Sequence, residues 1–147
     1  MNRTHNFWAS LATAFTIGLL IFGGCSTIAG ERDGGVKVKL TGDEEVPPVK
    51  TTASGAGSFN ISSDKSVSGS ITTTGVEGTA AHIHEGPAGK NGPVIVPLTK
   101  GANNTWSVAP GAKLTDAQYD SYKAGNLYVN VHSAANKGGE IRAQLKP

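Results

Sequence analysis

Sulfur is almost missing from this chain: of 147 residues one is cysteine, Cys25, and one is methionine, Met1. Cys25 ends an apolar leader, so the body that follows has no cysteine pair for a disulfide and no thiolate for a metal. The lack of soft donors disfavours a dedicated Cu(I) carrier or a blue-copper centre. A marked excess of either charge is missing too. Leaving out residues 1–24, which hold Arg3 and no acid, there are twelve Lys and Arg against eleven Asp and Glu, a net +1 spread without a run. That balance argues against nucleic acid as a partner, because its recognition shows as a clustered basic patch. No Ser/His/Asp set is recognisable, and the carboxylates are too dispersed to pair as acid and base. The Gly86–Pro93 stretch is rich in glycine and proline but leads from one strand-like run into another, so no helix N-terminus is there to receive a phosphate.

What is present begins with a leader. Arg3 supplies positive charge, Trp8 to Gly24 is apolar or small throughout, and the run closes Ile21-Phe22-Gly23-Gly24-Cys25. This resembles a bacterial lipoprotein signal peptide, with Phe22 where that motif has Leu. The resemblance implies removal of residues 1–24 and lipidation of Cys25. It also implies a membrane-anchored lipoprotein of the cell envelope, and Ser26 after the cysteine points to the outer membrane. Residues 25–35 are small and polar and read as a flexible tether. A single domain is expected over 36–147.

That domain reads as all-β. Val36, Val38 and Leu40 alternate with lysines; Phe59 and Ile61, then Val67, Gly69 and Ile71, keep the same period of two. Asp64-Lys65 between them reads as a hairpin turn. Further strands are expected at Thr79–His84, Val94–Leu98, Thr105–Val108, Leu127–His132 and Glu140–Leu145, separated by Gly, Pro, Asn and Asp. The pattern predicts an antiparallel sandwich or barrel. One short crossover helix is expected over about 114–125: Thr115 and Gln118 have the spacing of a capping box, and Gly125 stops the segment.

The chain's chemistry is concentrated in histidine. His82 and His84 are two apart on a strand and project from the same face, a chelating arrangement. His132 ends Leu127-Tyr128-Val129-Asn130-Val131-His132 and shares a face with Tyr128 and Asn130. Should the strands lie close, three neutral imidazoles converge on one ion and leave a position for water. Imidazoles suit Cu(II), Zn(II), Ni(II) or Fe(II). Copper is the first choice because affinity peaks there in the first-row series, with zinc second. Glu85, Tyr128 and Glu140 are the residues placed to support those imidazoles. The competing reading is a hydrogen-bonded histidine pair that pins the turn after His84.

Several ordered motifs bear on family. They are Leu40-Thr41-Gly42-Asp43-Glu44-Glu45-Val46-Pro47-Pro48-Val49, Ala53-Ser54-Gly55-Ala56-Gly57, and Ala81-His82-Ile83-His84-Glu85-Gly86-Pro87 continuing to Val96. Leu114-Thr115-Asp116-Ala117-Gln118, Gly125-Asn126-Leu127-Tyr128-Val129-Asn130-Val131-His132-Ser133 and Gly138-Gly139-Glu140-Ile141-Arg142-Ala143-Gln144-Leu145 complete them. Together, over about Val36–Leu145, the chain resembles the CHRD (chordin-type) domain family. The resemblance implies a Greek-key or immunoglobulin-like β-sandwich and supplies little biochemistry. His82-Ile83-His84-Glu85-Gly86 is also similar to the His-x-His strand of copper/zinc superoxide dismutases, but too few histidines and no disulfide are present for that binuclear site.

The function expected from these readings is an exported, lipid-anchored β-sandwich domain. It binds one transition metal ion per chain through His82, His84 and His132, for metal handling or sequestration. A structural or adhesion module contacting another protein is the alternative, and a mononuclear metal-dependent oxidoreductase is a third reading.

Overall fold

The computed structural model describes residues 35–147. The expected signal peptide, Cys25 and nearly all of the tether lie outside the described residues. Eight strands follow in order: β1 (Val36–Leu40), β2 (Ser54–Ile61), β3 (Val67–Thr74), β4 (Gly78–Glu85), β5 (Val94–Lys100), β6 (Thr105–Val108), β7 (Leu127–Ser133) and β8 (Ile141–Leu145). Each expected strand is present; β2 and β3 run well beyond the residues the alternation marked, β4, β5 and β7 one or two residues beyond, and β8 starts one residue later. A short 3-10 turn, Gly42–Glu44, follows β1. Among the described residues no helix is long and apolar enough to cross a membrane.

All pairings are antiparallel, in the order β1-β2-β3-β6-β5-β4-β7-β8. The hairpin-linked strands β4, β5 and β6 are flanked by β3 on one side and β7 on the other, so two Greek keys overlap on them. The first and last strands then meet: Thr41 and Arg142 exchange both backbone hydrogen bonds, at 3.1 and 3.0 Å. The sheet is thereby nearly closed, and a sandwich-like core lies inside it. Alternate residues fill that core, with Phe59, Ile71, Ile83, Trp106, Val129, Val131 and Ile141 buried together.

The crossover from β6 to β7 carries the helix, α1 (Asp116–Lys123). The Thr115 hydroxyl accepts from Gln118 N and the Gln118 side chain accepts from Thr115 N, the reciprocal box its spacing announced. At the other end Gly125 N donates to Tyr122 O and Asn126 N to Ser121 O. This Schellman ending needs a residue with positive φ, and Gly125 supplies it at 74°. Leu114 and Tyr122 face the core, whereas Gln118 and Tyr119 are only half-buried.

Asp64-Lys65 forms the expected turn, Asp64 Oδ1 accepting from Ser66 N at 3.0 Å. β4 carries two irregularities. Its register shifts between Ile83 and His84 against β5, and again between Gly78 and Ala80 against β7. Such bulges re-aim side chains at the strand ends where they occur.

Candidate metal centre

Register brings the histidines together. On the β4–β7 pair His84 lies opposite Tyr128, His82 opposite Asn130, and the small Ala80 opposite His132. His132 is therefore the diagonal neighbour of His82, within reach of a ring. The ring centroids are 4.9 Å apart for His82–His132, 5.5 Å for His82–His84 and 5.9 Å for His84–His132. One ring nitrogen from each lies within 4.8 Å of the others. Nitrogens bound about 2.0–2.1 Å from a tetrahedral ion stand about 3.4 Å apart, so closing on an ion is a movement of an ångström or so.

Two loops decide which nitrogens face the centre. His84 Nδ1 is 3.0 Å from the carbonyl of Gly92 in the β4–β5 loop, and His132 Nδ1 is 2.9 Å from that of Lys137 in the β7–β8 loop. A carbonyl only accepts, so each Nδ1 carries the hydrogen and each Nε2 presents a lone pair. His84 Nε2 is buried and has no hydrogen-bond partner. His132 Nε2 is 3.1 Å from His82 Nδ1, which must donate to it. Metal binding through His82 Nδ1 then requires only that this hydrogen move to His82 Nε2. Burial, followed by the neighbouring His132 and His84, holds the His82 imidazole below its ordinary pKa. Burial likewise lowers His84, against the hydrogen bond to Gly92. Both rings are thus neutral at physiological pH, the form a metal needs.

Tyr128 and Asn130 on the polar face of β7 are covered by protein. Tyr128 is 2 % exposed and stacks on His84, 4.8 Å between centroids and 7° from parallel. On its other face lies the Arg142 guanidinium, 3.4 Å from the ring centre. Arg142, itself 1 % exposed, donates to Lys90 O at 2.9 Å and to Asn91 Oδ1 at 3.2 Å, while Asn91 Nδ2 donates to Val46 O at 2.7 Å. Gly92 N donates to the Tyr128 hydroxyl at 3.1 Å. The β4–β5 loop is thereby fastened above His84. His82 and His84 do not act as one pair on the turn after His84: His82 bonds to His132, and His84 alone is tied to this loop, through Gly92, by the hydrogen bond that also orients its ring.

The three supporting residues expected from sequence part company here. Tyr128 touches His84. Glu85 accepts instead from Ser121 Oγ of α1, because neighbouring residues of a strand point to opposite faces. Glu140 accepts from Thr51 Oγ1 at 2.8 Å. The imidazole N–H groups of His84 and His132 are oriented by backbone carbonyls rather than by these carboxylates.

Sequence reasoning missed the group beneath the site: Glu45, Asn130 and Arg142, all buried. Gly139 makes room for it, since a Cβ there would stand 2.4 Å from Glu45 Oε1 and 2.6 Å from Asn130 Nδ2. Burial pushes the Glu45 carboxyl up to about 7, opposed by the Arg142 charge and by the nearby Val46 N–H and Asn130 amide. Between its ordinary 4.5 and 7, folded Glu45 keeps a proton that the unfolded chain gives up, so its contribution to stability is lost as pH rises through that window. His82 and His84 act oppositely: their contribution is present above about 6.5 and is lost as pH falls through their lowered folded values. In urea unfolding of metal-free protein, Glu45→Gln should therefore gain on the native chain between pH 5 and pH 7.5; parallel profiles would refute the buried proton.

Fold and site define an antiparallel all-β domain with a cluster of three histidines on the outer face of its sheet. The chain belongs to the CHRD domain family, whose model it matches over residues 36–145. No curated protein and no solved structure matches it.

Proposed function

We propose that this is an exported, lipid-anchored CHRD domain protein that binds one transition metal ion per chain through His82, His84 and His132, for metal handling or sequestration. The observation that carries the proposal is the buried, unpartnered Nε2 of His84, aimed by the Gly92 carbonyl toward two more imidazoles. An unmet acceptor in a buried place costs about 1–3 kcal/mol, and a cation held jointly by the three rings offsets that cost. An all-nitrogen set favours Cu(II), with Zn(II) second, and three protein ligands leave a position on the ion. When bound, the ion would supply Lewis acidity, and in the case of copper one-electron chemistry; the rings hold it, and the loop over His84 limits water.

Titration of the full-length chain in detergent with Cu(II) should show one tight equivalent, weakening as pH falls below about 6.5, where protons compete for free imidazole. No uptake at equimolar Cu(II) or Zn(II) would replace this reading with that of a protein-interaction module. The lipid anchor rests on the Ile21–Cys25 sequence. Cys25→Ala should block maturation or release the protein from membranes, and an unmodified Cys25 with unchanged membrane association would count against lipidation.

A further inference from the structure

Among the described residues four buried side-chain polar atoms have no hydrogen-bond partner, and three of them belong to this one face: His84 Nε2, Asn130 Oδ1 and Glu45 Oε1. Asn130 is 1 % exposed and central to the face. It lies opposite His82 on β4, opposite Arg142 on β8, and two residues from both Tyr128 and His132 on its own strand. Its orientation follows from its amide nitrogen. Nδ2 lies 3.4 Å from Gly138 O and crowds the same space at Gly139 as the Glu45 carboxyl, so the donor end of the carboxamide is turned to acceptors on the β8 side. The oxygen therefore points the other way, toward the rings of β4.

The result is a mismatch of acceptors. Asn130 is the diagonal neighbour of His84 on the β4–β7 pair, two residues from the Tyr128 that lies opposite it, yet Oδ1 and Nε2 both go without a partner. With Nδ1 committed to Gly92, His84 Nε2 has only a lone pair to offer, as has Oδ1. Two buried lone pairs on neighbouring strands of one face are reconciled by a positive centre between them.

Building on the three-histidine reading, we infer that Asn130 is the fourth protein ligand of the metal, through Oδ1, giving a His3Asn set. The carboxamide is neutral and so leaves the charge of the ion uncompensated by the first four ligands. Glu45, behind its amide group, is the carboxyl placed to hold that amide in register. An oxygen in the fourth place also keeps the set free of sulfur and hospitable to a divalent rather than a monovalent ion.

The test uses the full-length chain and its Asn130→Ala and Asn130→Asp variants, titrated with Cu(II) and examined by paramagnetic resonance. Asn130→Ala should lower affinity by about tenfold or more and change the copper hyperfine pattern, whereas Asn130→Asp, which restores an oxygen, should bind at least as tightly as the native chain. Should the variants fail to fold, the native chain still answers: the Asn130 Cγ carbon resonance should move with the first equivalent of Zn(II). An Asn130→Ala spectrum and affinity identical to native, or an unmoved Cγ resonance in a chain that takes up zinc, would overturn the fourth ligand and leave the three histidines standing. Failure of the native chain to take up metal would overturn both.

Discussion

His84→Ala should abolish stoichiometric Cu(II) uptake, and it should do so more completely than His82→Ala. His84 is the most buried of the three rings, at 7 % exposure, and its Nε2 has no other partner to satisfy it. His82 is half-buried and must first give up its hydrogen bond to His132. Loss of a ligand should cost more than the roughly 10- to 100-fold that follows loss of a hydrogen bond supporting one. The effect is also readable as stability: metal at about 100 times its Kd adds about 2.7 kcal/mol to a chain that binds it only when folded. Unfolding with and without Cu(II) should show that gain in the native chain and none in His84→Ala. Equal gains in both would place the metal elsewhere.

Arg142→Ala should be the most damaging substitution outside the histidines. The guanidinium is fully buried, covers Tyr128 and donates to Lys90 O and Asn91 Oδ1, so truncation leaves a cavity and stranded acceptors together. A loss of about 3–5 kcal/mol is expected from such a combination. The consequence reaches the metal through two contacts, since the released loop carries Gly92 and the uncovered Tyr128 packs on His84. Metal affinity should fall by about 10- to 100-fold. Arg142→Lys keeps the charge without the planar fork and should fall between the two. An alanine variant as stable as the native chain would show that the loop is held by other means.

The sequence announced most of the strands through alternation, and the helix through Thr115, Gln118 and Gly125, because those signals are local. It also placed His82 and His84 on one face, since a period of two needs no tertiary information. That His132 joins them depends on β7 pairing with β4 across the α1 crossover, which the spacing could suggest but not determine. Arg142 was illegible for another reason. In Ile141-Arg142-Ala143-Gln144-Leu145 it has the alternation of a solvent-facing residue, and it is buried because the 86–93 loop brings carbonyls down onto it while its guanidinium lies on Tyr128. Glu45 stands beside Asp43 and Glu44 in an acidic run, yet the other two are exposed while Glu45 turns in toward Asn130 and Arg142. For Glu85 and Glu140, nearness along the chain suggested support for the histidines. The strand's alternation sends Glu85 to α1, and a contact with Thr51 takes Glu140 away.

Anomalous diffraction at the copper edge, from crystals of the protein loaded with one equivalent of Cu(II), addresses the metal site most directly. A single peak is expected, bounded by Nε2 of His84, Nε2 of His132 and a ring nitrogen of His82. A structure with no peak there, and with His82 Nδ1 still bonded to His132 Nε2, would contradict the three-histidine site.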